Sequence, residues 1–137
     1  MSNESIEYVV GIVAVNVDIY AKSSIPLKEK YDPNKINTSV GGVARNILCN
    51  LSLLGINTKF LTTLGDDIYG NYIIDYKKNK IDINHILKIT NESSNVFLQI
   101  LNNKNDMHMA FCDMTINKNI NLEYLKFNEN ILEILKQ

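Results

Sequence analysis

Residues Tyr8 to Val15 read YVVGIVAV, eight positions without a charge and rich in β-branched side chains. Branching at Cβ favours extended backbone, and a run that is apolar at successive positions suits a strand covered on both faces. The run therefore predicts a central strand of a parallel sheet. Val17 to Ala21 either extends it or begins a second strand. A polar loop through Pro26 and Pro33 then leads to a short strand near Ile36 to Val40.

The next segment changes period. Val43 to Leu54 places Ala44, Ile47, Leu48, Leu51 and Leu54 on one helical stripe, with Gly55 where a left-handed cap falls. Thr58 to Leu64, TKFLTTL, reads as a strand. Gly65-Asp66-Asp67 then turns into a helix from about Ile68 to Asn79, which either aspartate can cap while complementing its dipole. Asn95 to Leu101 and Met107 to Cys112 form a hairpin around NNKND, with Met107, Met109 and Phe111 on one face and His108 and Ala110 on the other. Asn121 to Lys136 is helical again, with a break near Asn128. Strand and helix in alternation predict βαβ units with right-handed crossovers, and the class is α/β. A strand normally follows such a helix, yet the sequence stops on ILEILKQ. No internal repeat, low-complexity tract or linker interrupts it.

Composition narrows the function. A chain of 137 residues with 45% apolar and 21% charged residues is one globular domain with room for a core. The net charge of −1, with both signs interspersed, gives no footprint for nucleic acid or an anionic membrane, so neither is expected as a partner. No apolar run reaches the ~18 residues of a membrane span, and Met1 to Glu7 is polar and acidic where a signal peptide would be basic and then apolar. The expected location is cytoplasmic. Cys49 and Cys112 belong to no Cys-x-x-Cys pair, and neither they nor His85 and His108 have ligand spacing. No metal site is expected, and both cysteines read as buried small apolar residues.

Two glycines, Gly41 and Gly42, stand before the helix that carries Arg45, the single arginine among thirteen lysines. By themselves they are a tight turn needing positive φ. In context the chain reads GGVARN, then Gly55, then Gly65, then GDDIYG through Gly70. This resembles the first signature of the ribokinase-like (PfkB) family of carbohydrate and nucleoside kinases, whose glycine pair, asparagine and two later glycines recur at this spacing. The sequence departs from that pattern at Leu48, where the signature has a small residue. The resemblance runs over essentially the whole chain, from NVD at Asn16 to Asp18 to the hairpin ending in CDM. Within the family, GGVARN together with DMHMAFCDM is most similar to the pseudouridine kinases.

The resemblance implies a ribokinase-like three-layer fold, with helices on both faces of the sheet and a small β lid. Residues 1–137 would be its N-terminal, substrate-side half, with lid strands around 17–40 and 95–112. By that resemblance Asp18 holds a sugar, its carboxylate accepting from two neighbouring hydroxyls, and Asn16 flanks it. Gly41 and Gly42 let the backbone approach the ring, and Asn46 donates and accepts toward the same hydroxyls. Arg45 either reads a uracil carbonyl or developing phosphate, or is a solvated arginine on the helix surface. The implied reaction is ATP-dependent phosphorylation of a primary hydroxyl on a sugar or nucleoside, the 5′ position if it is pseudouridine, with Mg2+. The family's second signature, a glycine-alanine-glycine-aspartate turn that supplies the anion hole and the catalytic base, is not in the sequence. The base, the nucleotide-binding half and the ATP and Mg2+ ligands are expected beyond Gln137, and the 137 residues alone are expected to be inactive. The lid's exposed face, with Met107, Met109 and Phe111, either pairs with a second subunit or packs within the lid. Two rivals remain. A dinucleotide-binding fold would need G-x-G-x-x-G after the first strand, where the chain has GIVAVNVD. The other is a non-catalytic sugar- or nucleoside-binding or dimerising module.

Overall fold

The computed structural model describes residues 8–13, 15–22, 35–76, 81–127, 131, 133, 135 and 136. Its strands are β1 (Val9–Ile12), β2 (Asn16–Lys22), β3 (Ile36–Gly41), β4 (Thr58–Gly65), β5 (Ile86–Ile89), β6 (Val96–Leu101) and β7 (Met107–Asp113). Its helices are α1 (Val43–Leu53), α2 (Ile68–Asp75) and α3 (Leu122–Phe127), and a 3₁₀ turn spans Thr115–Asn119. The strands form a parallel sheet in the order β1-β4-β5 and a second, four-stranded sheet in the order β3-β2-β6-β7. In the second sheet β2 runs parallel to β6 and antiparallel to β3.

The opening run supplies only β1, and Val17 to Ala21 belong to a second strand, β2, in the other sheet. β1 pairs with β4 alone among the described residues, so there it is an edge. The cause lies at Val13, a β-branched residue held at φ 73. Such a conformation is costly for valine and persists only where its surroundings fix it. Here the Val13 N–H donates to the Leu61 carbonyl at 2.8 Å and the Val13 carbonyl accepts from Thr62 Oγ1 at 2.6 Å. Past that kink, Val15 and Val17 are fully buried where the chain enters the second sheet.

The strand read from TKFLTTL is the buried spine of the molecule. Phe60, Leu61, Thr62, Thr63 and Leu64 of β4 are all buried, and the core joins Phe60 and Leu64 to Val15, Val17, Val40, Leu48, Ile73 and Ile81. α1 packs on β1 and β4. Leucine at position 48 is accommodated from the other side of the contact: a Cβ on Gly11 of β1 would run into the Leu48 side chain. The bulk missing from the strand is supplied by the helix.

The apolar stripe read along α1 does not all turn inward. Arg45 and Leu48 are the buried residues of the helix, whereas Ile47 and Leu54 are exposed on the same flank as Val43. The Gly55 cap is as expected: at φ 83 it turns the chain so that Gly55 N–H reaches the Ser52 carbonyl and Ile56 N–H the Leu51 carbonyl, both at 3.1 Å. Of the two candidate aspartates, Asp67 caps α2. That helix stops at Asp75 rather than running to Asn79, and residues 77–80 lie outside the described set. So do the loop through Pro26 and Pro33 and the break near Asn128. The hairpin forms as expected, with Asn105 at φ 70 in its turn. β5 and the 3₁₀ turn have no counterpart in the sequence reading; each is too short to show a period.

Candidate substrate-binding site

Successive residues of a strand point to opposite faces, so Asn16 and Asp18 share one face of β2. The pairing of β2 with β3 sets Asn16 opposite Gly41 and Asp18 opposite Ser39. Pairing with β6 sets Asp18 opposite Phe97, with Gln99 two residues further along the same face. At the end of β3 the chain turns through Gly42, at φ 105, into α1, whose first turns carry Val43 and Asn46. These elements enclose a hollow of about 540 Å³. Asn16, Asp18, Gly42 and Asn46 form its polar end, and Val15, Val43, Phe97 and Met114 its apolar wall. Gln99, Cys112 and Asn117 complete the lining.

Asp18 is the chemical centre of the polar end. Asn16 Nδ2 donates to its Oδ1 at 2.6 Å. Burial pushes the Asp18 carboxyl above its usual range, and the Asn16 hydrogen bond opposes the shift only in part. A carboxylate withdrawn from water and not fully hydrogen-bonded gains from a ligand that brings hydroxyl donors.

Four of the six residues read as contacts, Asn16, Asp18, Gly42 and Asn46, therefore line one hollow, and Gly41 lies beside it opposite Asn16. Gly41 is not among the residues lining the hollow. A Cβ at that position would collide with the Asp18 carboxylate, so the glycine makes room for the aspartate. Arg45 is not among the residues lining the hollow, and it is not solvated either: it is only 8% exposed. Its guanidinium carbon lies 5.1 Å from the centre of the Tyr76 ring, and Nη1 donates to Asn46 Oδ1 at 3.0 Å and to the Val40 carbonyl at 3.5 Å. Cys112 is exposed and lines the hollow, and Cys49 is half-buried, so neither is the buried residue expected.

Phe97, Gln99, Met114 and Asn117 were not foreseen. Phe97 and Gln99 alternate correctly for one face of a strand, but that face meets Asp18 only through the parallel β2–β6 pairing, which joins segments some eighty residues apart. Asn117 is held from below: Asn95, buried, donates from Nδ2 to Asn117 Oδ1 at 2.7 Å and to the Val15 carbonyl at 2.9 Å.

A second hollow, of about 430 Å³, lies at the start of β1 and β4 between Tyr8, Ser52, Lys59 and Asp82. Open α/β sheets bind ligands beyond the carboxyl ends of their strands, and the Asp18 hollow is the one at that end. No group of three or more His, Cys, Asp and Glu side chains among the described residues is placed to hold a metal. No described helix is long and apolar enough to cross a membrane.

A parallel sheet, three-stranded among the described residues, a second sheet of four strands, and a glycine turn opening a helix at the polar end of the hollow define the ribokinase-like fold, represented here by its N-terminal part. The chain belongs to the pfkB family of carbohydrate kinases, whose pattern it matches over residues 7–134. It is 34% identical over 122 residues to pseudouridine kinase of Escherichia coli K12, covering 87% of this chain and 39% of that protein. Over 98 residues it is 30% identical to guanosine-inosine kinase of Exiguobacterium acetylicum, covering 70% of this chain and 32% of that one. Among solved structures, a proposed sugar kinase from Clostridium perfringens superposes with a TM-score of 0.77 at 27% identity, covering 96% of this chain and 42% of the other. Arabidopsis thaliana ribokinase complexed with ribose and ATP superposes with a TM-score of 0.68 at 20% identity, covering 78% and 36%. The chain thus spans about two-fifths of the length of the pseudouridine kinase it matches.

Proposed function

We propose that these residues are the substrate-side half of an ATP-dependent kinase acting on a nucleoside, with pseudouridine as the substrate and its 5′-hydroxyl as the acceptor. The observation that carries the reading is the mixed lining of the Asp18 hollow, a carboxylate and side-chain amides together with Val15, Val43, Phe97 and Met114. Its polar end, with Asp18, Asn16 and Asn46, suits the hydroxyls of a ribose ring. Its apolar wall, with Phe97 and Met114, suits a planar base, which a free sugar lacks.

In this reading Asp18 accepts from two ring hydroxyls, Gly42 offers backbone at the ring edge, and the sheet of β2, β3, β6 and β7 is a lid that excludes water. ATP supplies the transferred phosphoryl group and Mg2+ offsets its charge. The ligands of both are assigned to the remaining length of the family fold. The base that takes the hydroxyl proton belongs to the remaining length of the family fold. So do the elements that would cover the edge of β1 left unpaired among the described residues and the exposed flank of α1 at Ile47 and Leu54. We assign the protein to the cytoplasm on the same family grounds.

Calorimetry with the 137-residue chain tests the proposal. Pseudouridine should bind, and Asp18→Ala should weaken it about a hundredfold, as loss of a charge-assisted pair of hydrogen bonds does. ATP and pseudouridine together should give no 5′-phosphate with this chain alone. Absence of any nucleoside or sugar binding would overturn the reading.

The opposite face of the lid supports a second element, a homodimer. Leu98, Met109 and Phe111 are exposed there and adjoin one another, with Leu98 opposite Phe111 and Ile100 opposite Met109. Light scattering should give twice 15.6 kDa for the chain and a monomer for Phe111→Glu.

A further inference from the structure

The single arginine sits beside the hollow without lining it, next to a residue that does. We infer that Arg45 is a positioning residue: it locks the side-chain amide of Asn46 with its nitrogen toward the hollow, and so gives the polar end one fixed donor beside the Asp18 acceptor. This rests on the reading of the hollow as a ribose site.

The chemistry of the two groups dictates the orientation. A guanidinium has only donors, so the Asn46 atom that meets it at 3.0 Å must be the carbonyl oxygen. A flipped amide would set N–H against N–H. With Oδ1 held by Arg45, Nδ2 is left for the hollow that Asn46 lines.

Arg45 is itself well fixed. It is buried, lies over the Tyr76 ring just past α2, and donates to the Val40 carbonyl on β3, so three elements determine where its fork points. A lysine ammonium could reach one of these partners but has no plane to stack on tyrosine while sharing a nitrogen between two carbonyls.

The locked amide decides what the polar end accepts. Asp18 can only accept, and Asn16 Nδ2 is already engaged with it. A ring hydroxyl that donates to Asp18 still has lone pairs, and Asn46 Nδ2 is the donor that satisfies them. A vicinal diol fits this acceptor-and-donor pair, whereas a freely rotating amide would present either atom and discriminate less.

The test has a ligand-free arm and a binding arm. In the 137-residue chain, the Asn46 Hδ2 pair should appear in nitrogen-15 correlation spectra as two resolved signals away from the free-amide position. Arg45→Met should collapse them toward that position, and Arg45→Gln, whose own amide N–H can reach Oδ1, should restore them in part. In calorimetry, Arg45→Met should weaken pseudouridine about tenfold, the equivalent of one lost hydrogen bond, and leave a 2′,3′-dideoxyribonucleoside unchanged. Unmoved Asn46 signals in Arg45→Met, or an equal loss for both nucleosides, would overturn the assignment and leave Arg45 a packing residue. If Arg45→Met fails to fold, the comparison of Arg45→Gln with wild type decides by the same signals. Locked Asn46 signals that depend on Arg45, in a chain that binds no nucleoside, would uphold the positioning role and remove the proposed substrate.

Discussion

Two glycine turns open α1 and α2, and they use their polar groups in opposite directions. At the second turn the Asp67 carboxylate is spent on protein. Asp67 Oδ1 accepts from Gly70 N–H and Ser94 Oγ, both at 2.7 Å, and Oδ2 accepts from Ser94 N–H at 2.8 Å. Ser94 Oγ in turn accepts from Gly65 N–H at 2.9 Å. At the first turn, Gly42 begins α1 with no side-chain cap, and the nearby Asp18 takes its hydrogen bond from Asn16 while lining a hollow. The contrast extends to acidity. Burial raises the Asp67 carboxyl, but its hydrogen bonds outweigh that and leave it below the usual value; at Asp18 burial wins and the shift is upward. Spent hydrogen-bonding capacity at the GDDIYG turn marks a structural latch, and unspent capacity beside GGVARN is what the proposed substrate site requires.

The sharpest way to break this comparison is at the latch glycines. Gly65→Ala should cost about 3 kcal/mol in urea unfolding, the upper end for overpacking, because its Cβ would meet the Glu92 carbonyl and the Ser94 nitrogen, both backbone. Asp67→Ala should cost about 2 kcal/mol, combining a lost cap with unpaired donors at buried Ser94. Gly11→Ala should cost about 1 kcal/mol, since its Cβ meets the flexible end of Leu48, and Leu48→Val in the same chain should recover part of that loss. If any of these proteins unfolds at the wild-type urea midpoint, the corresponding contact is not what fixes the residue type.

The smallest effect is on pH, and its signs differ between the turns. The folded-state pKa of Asp67 is lowered, so its contribution is fully present above the ordinary carboxylate value of 3.8 and is lost as pH falls through the lower folded value. The pKa of Asp18 is raised, so its penalty is present above the raised value and is relieved as pH falls through it toward 3.8. Asp18→Asn should therefore be more stable than wild type at neutral pH and converge with it in acid, whereas Asp67→Asn should be less stable at neutral pH and converge only at lower pH. Parallel curves for the two variants would erase the distinction between site and latch.

Much of the site was legible because its residues lie in two short stretches. NVD and GGVARN contain Asn16, Asp18, Gly41, Gly42 and Asn46, and the antiparallel pairing of β2 with β3 brings the stretches together. The apolar wall was not legible, since Phe97 and Met114 join it through long-range pairing that period-two alternation leaves open. The neighbour of Gly41 was not legible for a related reason: what fills the space beside it is Asp18, on a different strand. The first strand was overextended because nothing in YVVGIVAV announces the positive φ at Val13, which the Leu61 and Thr62 contacts impose. Two of the five stripe residues of α1, Ile47 and Leu54, stay exposed because periodicity reports an apolar face without saying how much of it a given sheet covers.

The most direct test of the site is a titration of the nitrogen-15 labelled chain with pseudouridine. The amides of Gly42, the Asn46 side chain and the Gln99 side chain should shift together and saturate, while Ser52, Thr58 and Lys59 around the second hollow stay in place. Shifts confined to Ser52, Thr58 and Lys59, or none at either hollow, would contradict the account.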